Sequence, residues 1–192
     1  MVYLIGVDHL VQYDGPVPEP IRIEFRSYII DVCRDLAVDV IAEEFSEEAL
    51  HDVYNATAGT AVEASLMLGI RHRYCDPGEK ELEALGIPYF GELLERAKAE
   101  YAAPPSYILD RVLREKVRSL AVEMAKTYWR KREEFWYERL REVLDMNIVF
   151  ICGHEHVGRF MSVLAAHGSE SKMVEPFWKK EIFTDYGTIG LT

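Results

Sequence analysis

Basic residues, paired cysteines and long apolar runs are all scarce in this chain, and each scarcity closes off a class of protein. Lys plus Arg number 22 against 33 Asp plus Glu, a formal charge of −11. That balance disfavours a nucleic-acid backbone or an anionic membrane surface as the main partner. The three cysteines, Cys33, Cys75 and Cys152, lie far apart with no Cys-x-x-Cys. Neither a disulfide framework nor a zinc ribbon is indicated, and buried free thiols are the simpler account. No apolar run reaches the length of a bilayer span, and the amino terminus lacks a basic segment followed by an apolar one. The expectation is a cytoplasmic protein with no membrane role. Solenoid repeats and low-complexity segments are missing too.

What is present is globular. The 192 residues are 49% apolar and 29% charged, enough for one domain with a real core. The most informative stretch is Asn147 to His156. Ile148 to Cys152 form a short apolar run with β-branched content, which fits an interior parallel strand. Gly153 breaks it, and Val157, Phe160, Met161 and Leu164 then fall at i, i+3, i+4 and i+7, the stripe of a helix. His154, Glu155 and His156 therefore sit where a strand turns into a helix, the place where open α/β sheets bind ligands. The helix dipole there disfavours a protonated imidazole and keeps a histidine able to bind metal.

The same arrangement opens the chain: Val2 to Ile5 is a short apolar run, followed by Gly6-Val7-Asp8-His9. One Gly-x-x-His is a weak signal. Two copies, each ending an apolar run near opposite ends of the chain, carry more, because parallel strands bring such ends to one edge.

Further along, Pro20 opens a helix with Phe25, Ile29, Val32, Cys33 and Leu36 on one face. Val38 to Ala42 runs as a strand directly into Glu43 and Glu44, and Ser46 looks like a helix cap. Residues 70–75 form a third strand, ending at the turn Asp76-Pro77-Gly78. A long, charged helical stretch follows, divided by Pro88 and Pro104-Pro105, with apolar stripes Leu113–Met124 and Trp136–Leu144. Residues 171–175 make a weak last strand, and the tail with Trp178, Phe183 and Tyr186 is expected to pack back on the body.

Strands at about 2–6, 38–43, 70–75, 147–152 and 171–175, separated by helices, predict a single α/β domain over 1–192. It has a mostly parallel sheet of about five strands with helices on both faces. Residues 77–128 form a helical insertion, or lid, before the last two strands. The helical excursion and the aromatic tail also offer surfaces for a homo-oligomer.

The carboxyl ends of these strands gather Asp8 and His9, Glu43 and Glu44, Asp76, and His154, Glu155 and His156. Two imidazoles and a carboxylate are a usual ligand set for Zn, Fe or Mn, with open positions for water and substrate. His9, Glu43 and His156 are the candidate metal ligands, and Glu44 or Glu155 the candidate general base. Asp8, Asp76 and His154 are placed to meet substrate. Singly, His9 or His156 is as readily a turn histidine bonded to a backbone carbonyl; paired at matching positions, they favour a site. His51, His72 and His167 stand in no constellation.

The paired Gly-x-x-His motifs and the strand-end Glu43 resemble the TraB/PrgY/Tiki superfamily, which is related to erythromycin-esterase-like and ChaN-like proteins. In that superfamily a helix bearing Arg-Asp precedes the last motif; here it reads Arg132-Glu133, with Glu in place of Asp. The match covers both ends of the chain and covers 77–128 poorly. The resemblance implies a hydrolase, metal-dependent or His-based, in which Arg132 steadies a carboxylate or a developing oxyanion. Three readings stand open. The first is a hydrolase of an amide or ester in a small molecule or peptide, using one divalent metal. The second is the same enzyme without metal, one His acting as base and Glu43 orienting it. The third is a protein that binds a small ligand such as haem.

Overall fold

The computed structural model describes residues 1–14, 17–50, 56 and 59–181. His51, Phe183 and Tyr186 lie outside them. The strands are β1 (Val2–Val7), β2 (Val40–Glu43), β3 (Arg71–Tyr74), β4 (Ile148–Gly153) and β5 (Ser171–Glu175). They form one sheet in the order β3-β2-β4-β1-β5, and every neighbouring pair is parallel. This is the α/β architecture that the spacing of the apolar runs predicts.

The helices are α1 (Glu19–Asp35), α2 (Thr60–Leu68), α3 (Glu79–Leu85), α4 (Phe90–Glu100), α5 (Arg111–Leu140) and α6 (Val157–Ala166). Pro20 stands in the first turn of α1, where a missing N–H costs nothing. Ser46 accepts the backbone N–H of Ala49 at 3.0 Å, as a capping serine does.

Each strand sends alternate side chains to opposite faces. Ile5, Val7, Ile41, Val149 and Ile151 pack with Phe25 and Ile29 of α1 and with Ala61 and Ala64 of α2. Val2, Leu4, Val40, Ala42, Ile148, Phe150 and Cys152 pack on the other face with Trp136 and Leu140 of α5 and with Phe160, Val163 and Leu164 of α6. The chain thus leaves β1 and β2 toward one face and β4 toward the other. Because β4 lies between β1 and β2, its carboxyl end is a topological switch point, the place where open α/β sheets bind ligands.

The chain divides into two compact units, Met1–Gly78 with Glu133–Thr192, and Glu79–Arg132. The sheet and both cores above belong to the first. The second has its own small core, in which Leu93 and Ala97 meet Tyr107, Val117 and Ala121. Its bounds, Glu79–Arg132, overlap the residues 77–128 read in the sequence as helical. Among the described residues, no helix is long and apolar enough to cross a membrane.

Candidate functional site

The Gly-x-x-His pattern has a steric origin at both copies. A Cβ on Gly6 would stand 2.1 Å from the backbone oxygen of Pro176, because the segment after β5 crosses the end of β1, with Trp178 N–H donating to Gly6 O at 2.8 Å. A Cβ on Gly153 would stand 2.9 Å from His9 Nε2. Glycine at 6 therefore admits a crossing chain, and glycine at 153 admits the imidazole of the other motif.

His9 begins a short 3-10 turn after β1, and His156 ends another between β4 and α6. Between them stands Glu44, the residue just past β2, 4% exposed. Its Oε2 lies 3.8 Å from His9 Nε2 and its Oε1 3.6 Å from His156 Nε2. Both separations exceed a hydrogen bond. Glu44 is anchored by the N–H of Gly153, which donates to Oε2 at 2.8 Å. His156 is buried, its side chain 6% exposed, while that of His9 is 40% exposed, so solvent reaches the cluster on the His9 side.

Each ring is held from behind. His156 Nδ1 is 2.9 Å from Glu133 Oε1, which also accepts from Arg159 Nε at 2.8 Å. Glu133 is fully buried, and among the described residues its Oε2 has no hydrogen-bond partner. Trp136 meets the His156 ring edge-on at 5.1 Å. His9 Nδ1 is 2.7 Å from Gln12 Oε1. Gln12 Nε2 in turn donates to Glu43 Oε2 at 3.1 Å, and His72 Nε2 lies 2.8 Å from Glu43 Oε1.

Three buried carboxylates make the local field negative. The Cys152 thiol is pushed well above its ordinary range by burial, with Glu44 and Glu133 adding to the effect. The Tyr74 hydroxyl is raised to about 12 by burial, then by Glu43 and Glu47.

Several expected roles move. Glu44, not Glu43, is the carboxylate shared by the two imidazoles. Both oxygens of Glu43 are engaged, by Gln12 and His72, and Gln12 links it to His9. Glu155 is exposed on the turn and does not join the cluster, because its neighbour His156 takes the inward position. His154, also exposed, stacks on Phe177 at 3.9 Å. Asp8 caps its own turn by accepting Leu10 N–H at 3.0 Å. Asp76 accepts the indole N–H of Trp136 at 2.9 Å. The guanidinium bonded to Glu133 is that of Arg159, whereas Arg132 is half-buried one residue earlier on α5.

Gln12, His72, Glu133 and Arg159 escape the sequence reading as site residues. Gln12 and Arg159 follow a motif histidine by three positions, a spacing that pairs side chains along one turn. His72 and Glu133 depend on strand order and helix packing. Among the described residues, no group of three or more His, Cys, Asp or Glu side chains is gathered to hold a metal ion.

Fold and site together define a class: an α/β protein with a five-stranded parallel sheet and a His–Glu–His cluster over the carboxyl ends of β1, β2 and β4. Compared with known proteins, the chain matches no family model, no curated protein and no solved structure. The likeness to the TraB/PrgY/Tiki superfamily therefore rests on the quoted motifs alone.

Proposed function

We propose that this chain is a hydrolase of an amide or ester bond in a small molecule or peptide, with His9, Glu44 and His156 as its working groups. The observation that carries this reading is the placement of two imidazole Nε2 atoms against the two oxygens of one buried carboxylate at the switch point of the sheet. Glu133 is an acceptor when ionised, so the neutral ring of His156 keeps its proton on Nδ1 and its lone pair on Nε2. A water at Nε2 loses its proton to that lone pair as it attacks the substrate carbonyl, and Glu133 and Glu44 stabilise the imidazolium that forms. Arg159 donates to the same oxygen of Glu133 through Nε. The His156 imidazolium then gives that proton to the leaving alkoxide or amine as its bond to the carbonyl carbon breaks, and His9 stands on the solvent side, where substrate enters. For the base His156 the orienting acid is Glu133.

A second reading keeps these residues and adds one divalent metal, Mn, Zn or Fe. It is favoured by the acceptors behind both rings, since ligand imidazoles are commonly backed at the other nitrogen by a carboxylate or carbonyl. As they stand, His9, Glu44 and His156 are not gathered as a metal group; they would have to turn toward one point to hold the ion, which would supply an acidified water and a Lewis acid when bound. Hydrolysis of an ester and anilide panel before and after exhaustive chelation separates the two. Activity that survives favours the His base. Activity that is lost and restored by one of these ions favours the metal. No turnover by the protein in either state, across the panel, counts against both.

A further inference from the structure

We infer that Glu43 is a positioning residue: through Gln12 it dictates which nitrogen of His9 carries the proton. This rests on reading His9, Glu44 and His156 as the working cluster. Glu43 is 1% exposed, with both oxygens engaged, by His72 Nε2 at 2.8 Å and by Gln12 Nε2 at 3.1 Å. Its Oε1 lies 3.6 Å from where a Cβ on Gly59 would stand, beside the amino end of α2.

The rest follows from the inventory of donors and acceptors. An ionised carboxylate only accepts, so Gln12 must turn its NH2 toward Glu43. Its carbonyl oxygen then faces His9 Nδ1 at 2.7 Å, and a carbonyl also only accepts. His9 Nδ1 must therefore hold the hydrogen, and Nε2 is left with the lone pair that faces Glu44. The opposite tautomer would set two acceptors against each other at that distance beside a buried amide. His72, for the same reason, donates through Nε2–H. His156 reaches the same tautomer independently, through Glu133. Two separate networks thus point two lone pairs at one carboxylate.

The dependence on Glu43 lies in its inability to donate. In Glu43→Gln the new amide can offer an N–H to Gln12. The Gln12 amide is then free to rotate, and His9 is no longer confined to one form.

The test is nitrogen-15 NMR of the histidine rings in the whole chain, at a pH where the imidazoles are neutral. In the wild type, His9 is expected with its hydrogen on Nδ1 alone. Glu43→Gln should give a mixture of tautomers at His9 and leave His156 unchanged. If Glu43→Gln does not fold, Gln12→Met is read in its place with the same expectation. A wild-type His9 carrying its hydrogen on Nε2, or a folded variant in which His9 stays wholly Nδ1–H, overturns the inference. Because the readout needs no substrate, failure of the hydrolase reading and failure of this one are seen separately.

Discussion

His156 and Glu133, 23 residues apart in sequence, meet through a 2.9 Å contact between Nδ1 and Oε1, and both side chains are almost wholly buried. The same oxygen accepts from Arg159, so one carboxylate orients the inner imidazole and is itself balanced by a guanidinium. Removing it takes an acceptor from the buried His156 ring, while Arg159, 43% exposed, can turn to water. Glu133→Ala should cost about 1–3 kcal/mol, the range for a buried polar group that loses its partner. Glu155→Ala, at an exposed position one residue from His156, should stay within about 0.5 kcal/mol of wild type. Urea unfolding measures both.

Glu44→Gln keeps the shape of the side chain, and its carbonyl still accepts the N–H of Gly153. Stability should change little, while kcat/KM for ester or amide hydrolysis falls by roughly 10²–10⁴, the usual contribution of proton-transfer groups. Equal kcat/KM in the two proteins would remove Glu44 from the chemistry.

Gly153→Ala and Gly6→Ala should fail differently. At 153 the added methyl meets the end of an imidazole, 2.9 Å from His9 Nε2. The ring swings aside, and activity is lost with modest destabilisation. At 6 the methyl meets a backbone oxygen at 2.1 Å, which cannot give way cheaply. That substitution should destabilise by about 1–3 kcal/mol or more. Melting temperatures and rates, measured on both variants, distinguish the two outcomes.

Glu63 ties α2 to α1 through Arg22, at 2.9 Å, and Arg26. Burial alone would raise its carboxyl, but hydrogen bonds from Arg22 and Arg26, and their charges, outweigh that and hold it below the ordinary value. A group depressed in the folded state stabilises above its unfolded pKa and loses that contribution as pH falls through the folded one. Glu63→Gln should therefore be less stable than wild type at neutral pH, with the gap closing in acid. Urea midpoints taken from neutral to acid pH measure this; a constant gap contradicts it.

The sheet was legible in the sequence because β1 and β4 are buried on both faces and so read as unbroken apolar runs. The choice between Glu43 and Glu44 was not. Side chains alternate along a strand, so one step in register decides which face a residue takes. Glu43 shares the parity of Ile41 and joins the α1 and α2 side of the sheet. Glu44 shares that of Ala42, and its N–H, bonded to Ile151 O at 2.8 Å, carries it along β4 toward His156. Composition gives no hint of that parity where a strand is apolar throughout. His72 reaches Glu43 only because β3 lies beside β2, and Glu133 reaches His156 only because the end of α5 packs on the β4 side. Both facts belong to the strand order and helix packing, which local patterns do not encode.

The central claim is that His9, Glu44 and His156 work together on one substrate. Its most direct test is the rate of hydrolysis of a panel of activated esters and anilides by the wild type, His9→Ala, His156→Ala and Glu44→Gln, with melting temperatures taken alongside. The account predicts turnover by the wild type that falls at least a hundredfold in all three variants while each remains folded. Variants that hydrolyse the same substrates as fast as the wild type, or that lose activity only by unfolding, would contradict it.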